Sequence, residues 1–203
     1  VMVMMQKLAS SSTAAILAAM QTRLWRLQHE EIADNINDYD EEGALLWYKE
    51  SKFEELTEGY WYEIESTQYD ANGVKKSYNE FEYNDLFQMI KKYCYDAKGE
   101  LSLYAVYEYN AQGQEAALLE YHATGELYSK IVINYDESGA RTGFVEYHYR
   151  EDGKLHRIKE LDSDRNLLRY SELMYNTAGD LEVIHNYTAD GKLTSNEYDL
   201  YHE

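Results

Sequence analysis

A five-residue turn signature, Tyr-Asp-x-x-Gly, recurs along most of this chain, and its spacing leaves few folds open. It stands as Tyr39-Asp-Glu-Glu-Gly43, Tyr69-Asp-Ala-Asn-Gly73, Tyr95-Asp-Ala-Lys-Gly99 and Tyr109-Asn-Ala-Gln-Gly113. It continues as Tyr121-His-Ala-Thr-Gly125, Tyr135-Asp-Glu-Ser-Gly139, Tyr149-Arg-Glu-Asp-Gly153, Tyr175-Asn-Thr-Ala-Gly179 and Tyr187-Thr-Ala-Asp-Gly191. Degenerate copies begin at Tyr83 and Leu161, and another is expected near Glu55–Gly59. From Tyr69 the copies start at 69, 83, 95, 109, 121, 135, 149, 161, 175 and 187. Steps of 14 and 12 mostly alternate, so a full unit is 26 residues in two unequal halves. Each half has room for one strand of about eight residues and one reversal.

The turn chemistry follows from the residue types. Asp or Asn bonds the backbone two residues on. Gly supplies the positive φ that ends the reversal. Leu or Val then re-enters the strand, as at Val74, Leu101, Leu127, Leu155, Leu181 and Leu193. Strands joined by tight turns are antiparallel and make a meander. The unequal halves are expected to reflect turns of slightly different length at the two edges of the sheet.

All steps are even and side chains alternate with period two, so every motif Tyr shares a face unless a bulge intervenes. That odd-numbered face carries Leu101, Leu103, Ala105, Leu119, Ile131, Ile133, Val145, Leu173 and Val183. The even face is mixed, with Lys76, Glu82, Lys130, Glu146, Glu160, Glu172 and Glu182. It also carries Tyr78, Tyr104, Tyr128, Phe144, Tyr170 and Tyr198, a set of rings that is the candidate binding surface. An exposed stripe of this kind stacks on sugars or anchors a protein. Cross-strand packing is the structural alternative.

Of 29 aromatic residues 22 are Tyr, and Pro is absent; both suit continuous, half-buried sheet. The net charge is −19, and residues 1–30 carry +2, which leaves −21 on the remainder. Such a surface repels phosphate backbones and excludes nucleic acid as a ligand of the repeats. It is either a solvated acidic surface or one that steers a basic partner. Cys94 is the only cysteine, so the fold contains no intrachain disulfide. No stretch reaches the ~18 apolar residues of a membrane span. The run Leu8–Met20 is interrupted by Ser10, Ser11, Ser12 and Thr13, which favours a soluble helix over a signal peptide, and the cytoplasm over secretion.

Residues 12–37 are predicted to form one amphipathic helix, with Ile16, Met20, Leu24 and Leu27 on its apolar face and Ser11 or Ser12 as cap. The expected organisation is therefore an N-terminal helix over 1–38 and a β-hairpin repeat domain over 39–203. The segment 6–24 resembles a helical segment of bacterial superfamily-two helicases, without any nucleotide-binding motif. The pattern Tyr-(Asp/Asn)-x-x-Gly-x-(Leu/Val) from Tyr69 to Tyr187 resembles the YD repeats of bacterial Rhs-type proteins. That resemblance implies a long antiparallel β-ribbon, which in large members forms a shell around a toxic domain. The punctuation is also similar to MORN-like repeats of small bacterial antitoxins, although the spacing fits them less well.

Little in the sequence carries chemistry. His29, His122, His148, His156, His185 and His202 form no helical metal pair, though His148 and His156 are expected to be neighbours across a hairpin. No Gly-x-Ser-x-Gly elbow or P-loop is present. Turn carboxylates are too few per turn for calcium. The expectation is a mainly β, non-enzymatic, cofactor-free protein that binds another protein. A carbohydrate-binding surface and a fragment of a larger Rhs-like polypeptide are the alternatives.

Overall fold

The computed structural model of the chain describes residues 36–39, 41 and 43–198. The helix expected over 12–37 and the segment 6–24 lie almost wholly outside the described residues, as do His29 and His202. All regular structure among the described residues is β-strand. The strands are β1 (Ile36–Tyr39), β2 (Leu45–Thr57), β3 (Tyr60–Asp70), β4 (Lys75–Tyr83), β5 (Met89–Asp96), β6 (Leu101–Tyr109) and β7 (Glu115–His122). They continue as β8 (Leu127–Tyr135), β9 (Arg141–Tyr149), β10 (Leu155–Asp162), β11 (Leu167–Tyr175), β12 (Leu181–Thr188) and β13 (Leu193–Tyr198). Strand order in the sheet is sequence order, an antiparallel meander. The chain divides within β4 into two compact units, Val1–Tyr78 and Asn79–Glu203.

In the first unit β2 and β3 form a long hairpin in which Ser51 faces Ser66, and both are buried. The Glu63 carboxylate accepts from Ser51 Oγ at 2.5 Å and pairs with Lys49 Nζ at 2.6 Å, fixing the hairpin where it emerges. The turn after β2 is not a copy of the motif. Thr57 pairs with Tyr60 across only Glu58 and Gly59, and Glu55 caps the Gly59 amide at 2.5 Å.

Every motif copy from Asp70 to Lys192 closes in one way. The amide after the motif Tyr donates to the carbonyl four residues on, and the Gly amide donates back, as in Asp96 N to Glu100 O at 2.9 Å and Gly99 N to Asp96 O at 3.1 Å. Where Asp or Asn leads the turn, its side chain accepts two further backbone bonds; Asp96 Oδ1 takes them from Lys98 and Glu100. The degenerate copies close identically, with Phe87 (φ 59°) and Arg165 (φ 66°) in the place of Gly. Turn length is therefore constant, contrary to expectation. The unequal halves come from the strands, nine residues in β6 and β8 against eight in β5 and β7.

A second correction concerns the faces. After each turn the register skips one residue: Tyr95 pairs with Leu101 but Cys94 with Leu103, leaving Ser102 as a bulge. Ala116, Tyr128, Thr142, His156, Leu168, Glu182 and Thr194 are skipped in the same way. One extra residue per strand reverses the odd–even parity, so Leu103 opposes His122 while Leu119 opposes Val106 on the other face. Burial is divided accordingly. Ala105 and Ser129 lie on one face and Ala117 on the other, with Phe144, Leu173 and Val183 completing the fully buried apolar set among the described residues.

Long-reaching side chains tie successive repeats in the second unit. The hydroxyls of Tyr109, Tyr135 and Tyr175 donate to the carbonyls of Met89, Glu115 and Leu155, each 20 residues back. At the turns, Gln88, Gln114 and Lys154 donate to the carbonyls of Gly113, Gly139 and Gly179, each 25 residues ahead.

Candidate functional site

The bulges decide which side chains of the second unit share a face. One row runs in register through Ser129, His148, Arg157, Glu172, His185 and Asn196, across six strands. Arg157 Nη2 donates to Glu172 Oε1 at 2.5 Å, and His185 Nδ1 lies 2.7 Å from Asn196 Oδ1. In the adjacent row Glu146 Oε2 stands 3.4 Å from His148 Nε2 and 3.6 Å from Lys159 Nζ. Glu146 favours the charged form of His148, and the side-chain atoms His156 Nδ1 and Arg157 Nε are shielded from solvent without a hydrogen-bond partner. Burial, then the Lys159 ammonium, pushes the His148 pKa down. His156 is the bulge residue beside this pair and adds to the effect, so the two histidines are neighbours.

The six rings of the candidate surface are not one stripe. Tyr104 pairs with Tyr121 and lies on the face opposite the histidine row. Its ring stacks on that of Tyr121 at 4.8 Å and 8°, and Tyr170 stacks on Tyr187 at 4.7 Å and 11°. Stacked rings spend their faces on each other, which is the cross-strand packing alternative. Tyr128 leans on His122 at 4.9 Å, and burial with the nearby Glu120 raises its pKa to about 12. Phe144 is 2% exposed and offers no ring to solvent. Tyr198 is 63% exposed at the end of β13. In the first unit Tyr78 lies under Lys75 Nζ at 4.9 Å.

Among the described residues no three His, Cys, Asp or Glu side chains converge as a metal site. The charged row is the feature that sequence reasoning missed. Arg157, Glu172 and His185 are visible as residue types, but only the register aligns them.

No family model and no curated protein sequence matches the chain. Among solved structures, it is similar to a porin-like protein from Bacteroides uniformis at TM-score 0.32 and 10% identity, over 81% of this chain and 88% of that one. It is similar to a chain of the Photorhabdus luminescens Tc holotoxin pore at TM-score 0.21 and 13% identity, over 89% of this chain and 14% of that one. A protein of unknown function from Bacteroides fragilis matches at TM-score 0.19 and 12% identity, over 83% of this chain and 94% of that one. Likenesses of this size carry no argument about function.

Proposed function

We propose that the chain is a non-catalytic repeat module that binds a basic protein partner. The observation that carries this reading is the placement of its acidic charge. The net charge is −19, and exposed carboxylates stand on successive turns, at Glu126, Glu137, Glu151, Asp164, Asp180 and Asp190. Repeated turns thus present negative charge at a regular spacing to a partner of opposite sign. Acquisition of the partner would be fast at low salt and slower as ionic strength rises. The repeats themselves are of YD type, a reading supported by the turn signature and the 26-residue unit, and the chain is a relative or portion of an Rhs-like polypeptide. Glycan binding is the weaker alternative, because Tyr104 and Tyr170 have committed their ring faces to neighbouring tyrosines.

The test uses the full chain as bait in lysate from its source, followed by binding measurements with each purified candidate at low and high salt. A basic partner whose association slows with salt, and slows again when Glu126, Glu137 and Glu151 become Gln, supports the proposal. Absence of any such partner, or turnover of a substrate lost on changing one carboxylate, overturns it.

A further inference from the structure

Phe144 is buried on β9, between β8 and β10, and what covers it is unusual in so acidic a protein. Arg141, the first residue of β9, places its guanidinium carbon 5.0 Å from the ring centroid. Arg165, in the turn between β10 and β11, places its own at 4.4 Å. The register brings them together: Arg141 pairs with Tyr135, while Phe144 lies between Ile133 and Leu161. The two arginines are 24 residues apart in sequence, yet they meet on one ring.

Arg165 occupies a position at which nine of the ten turns between Asp70 and Lys192 carry Gly or, once, Phe. Its φ of 66° is costly for a side chain with a Cβ. Strain of this kind persists where surrounding contacts hold it, and it marks places worth a functional question. A cation held over a ring face is attracted through its charge and gives up no N–H donor to the ring. Among the described residues neither guanidinium, of Arg141 or of Arg165, makes a hydrogen bond or ion pair, and both residues are exposed. Glu115 lies within their field without an ion pair, and burial outweighs their attraction and raises its pKa. The N–H donors of both guanidiniums are thus unspent.

We infer that Arg141 and Arg165, both held over Phe144, form a binding site for an oxyanion, a carboxylate or a phosphate group. Each fork matches a planar or tetrahedral oxyanion through paired N–H donors. Asp136, Glu137, Asp162 and Asp164 on the flanking turns set a repulsive long-range field, so affinity arises by contact alone. Added salt screens that repulsion and the guanidinium attraction alike, so binding is compared at constant ionic strength. This inference is independent of the basic partner proposed above, because it concerns a cationic site for an anionic group.

The experiment follows the arginine Nε–H signals of the full chain by nitrogen-edited NMR. Inorganic phosphate and, separately, succinate replace chloride at constant ionic strength. The expected result is saturable movement of the Arg141 and Arg165 signals with one of the two anions. Succinate alone assigns a carboxylate ligand and phosphate alone a phosphate ligand. Arg165→Gly installs the residue usual at that turn position and relieves its φ, so the fold is retained while binding falls by about tenfold or more. Arg165→Lys keeps the charge without the fork and also weakens binding. Shifts that never saturate, or binding unchanged in either variant, overturn the proposal.

Discussion

The β2–β3 hairpin and the run from β5 to β12 are both antiparallel sheet, yet they are aligned by different means. The hairpin has strands of 13 and 11 residues, and its register shifts near Phe53 and again near Thr57. It is aligned by contacts particular to the place, such as Glu63 with Lys49 and Ser51. The repeats have strands of eight or nine residues, and side chains bonded to backbone at fixed offsets align them. A register set by backbone partners tolerates change on its surface and resists change at its turns. A register set by side-chain pairs does the reverse.

Four substitutions would break or sharpen that contrast. The largest effect is expected from Gly143→Ala, because a Cβ there would overlap the Leu161 carbonyl oxygen and push β9 from β10. Urea unfolding should show a loss of about 3 kcal/mol. Gly59→Ala in the long hairpin has open space around it and should cost only about 1 kcal/mol, through its positive φ. Next comes Tyr104→Ala, which removes the stack with Tyr121 and should cost about 2 kcal/mol by the same measurement. Tyr135→Phe deletes only the bond from its hydroxyl to the Glu115 carbonyl, and a loss of about 1 kcal/mol is expected. Equal losses for Tyr135→Phe and Tyr104→Ala would show that these hydroxyls, rather than ring packing, hold the repeats.

The smallest effect is electrostatic. Backbone amides of the turn hold the Asp96 carboxyl below its ordinary value, and the same holds for Asp152. At Asp70, Asp136 and Asp162 the side chains of Lys76, Ser138 and Asn166 lead and the turn amides add to them. A depressed carboxyl gives stability that is complete above its ordinary value of 3.8 and is lost as pH falls through the lower folded value. Acid unfolding of the repeats should therefore steepen below that pH. Asp96→Asn keeps the acceptor oxygen and should shallow the slope; an unchanged slope would remove the turns as its source.

The turns were legible in the sequence because their chemistry is local. Even the degenerate copies at Tyr83 and Leu161 could be placed, since Asn84 and Asp162 keep the acceptor that leads each turn. The faces were not legible. Parity counting assumes an unbroken ladder, and the skipped residue after each turn has no residue type of its own: Ser102, Tyr128, His156 and Leu168 all fill it. For the same reason Tyr104 and Tyr170 were expected on one face and stand on opposite ones. Phe144 fitted the stripe by spacing alone, and its cover by Arg141 and Arg165 depends on contacts between two separate stretches of chain.

Sequence-order pairing also has a mechanical side. From β6 to β12 each strand is held by the strand before it and the strand after it in the chain. A pull on one end of this run meets a single interface at a time, so resistance is set by one ladder and its 20- or 25-residue tie, not by the sum of all ladders. Such a run would yield in steps and re-form from whichever hairpin remains. It would act as an extensible tether whose increments of length are single strands with their turns.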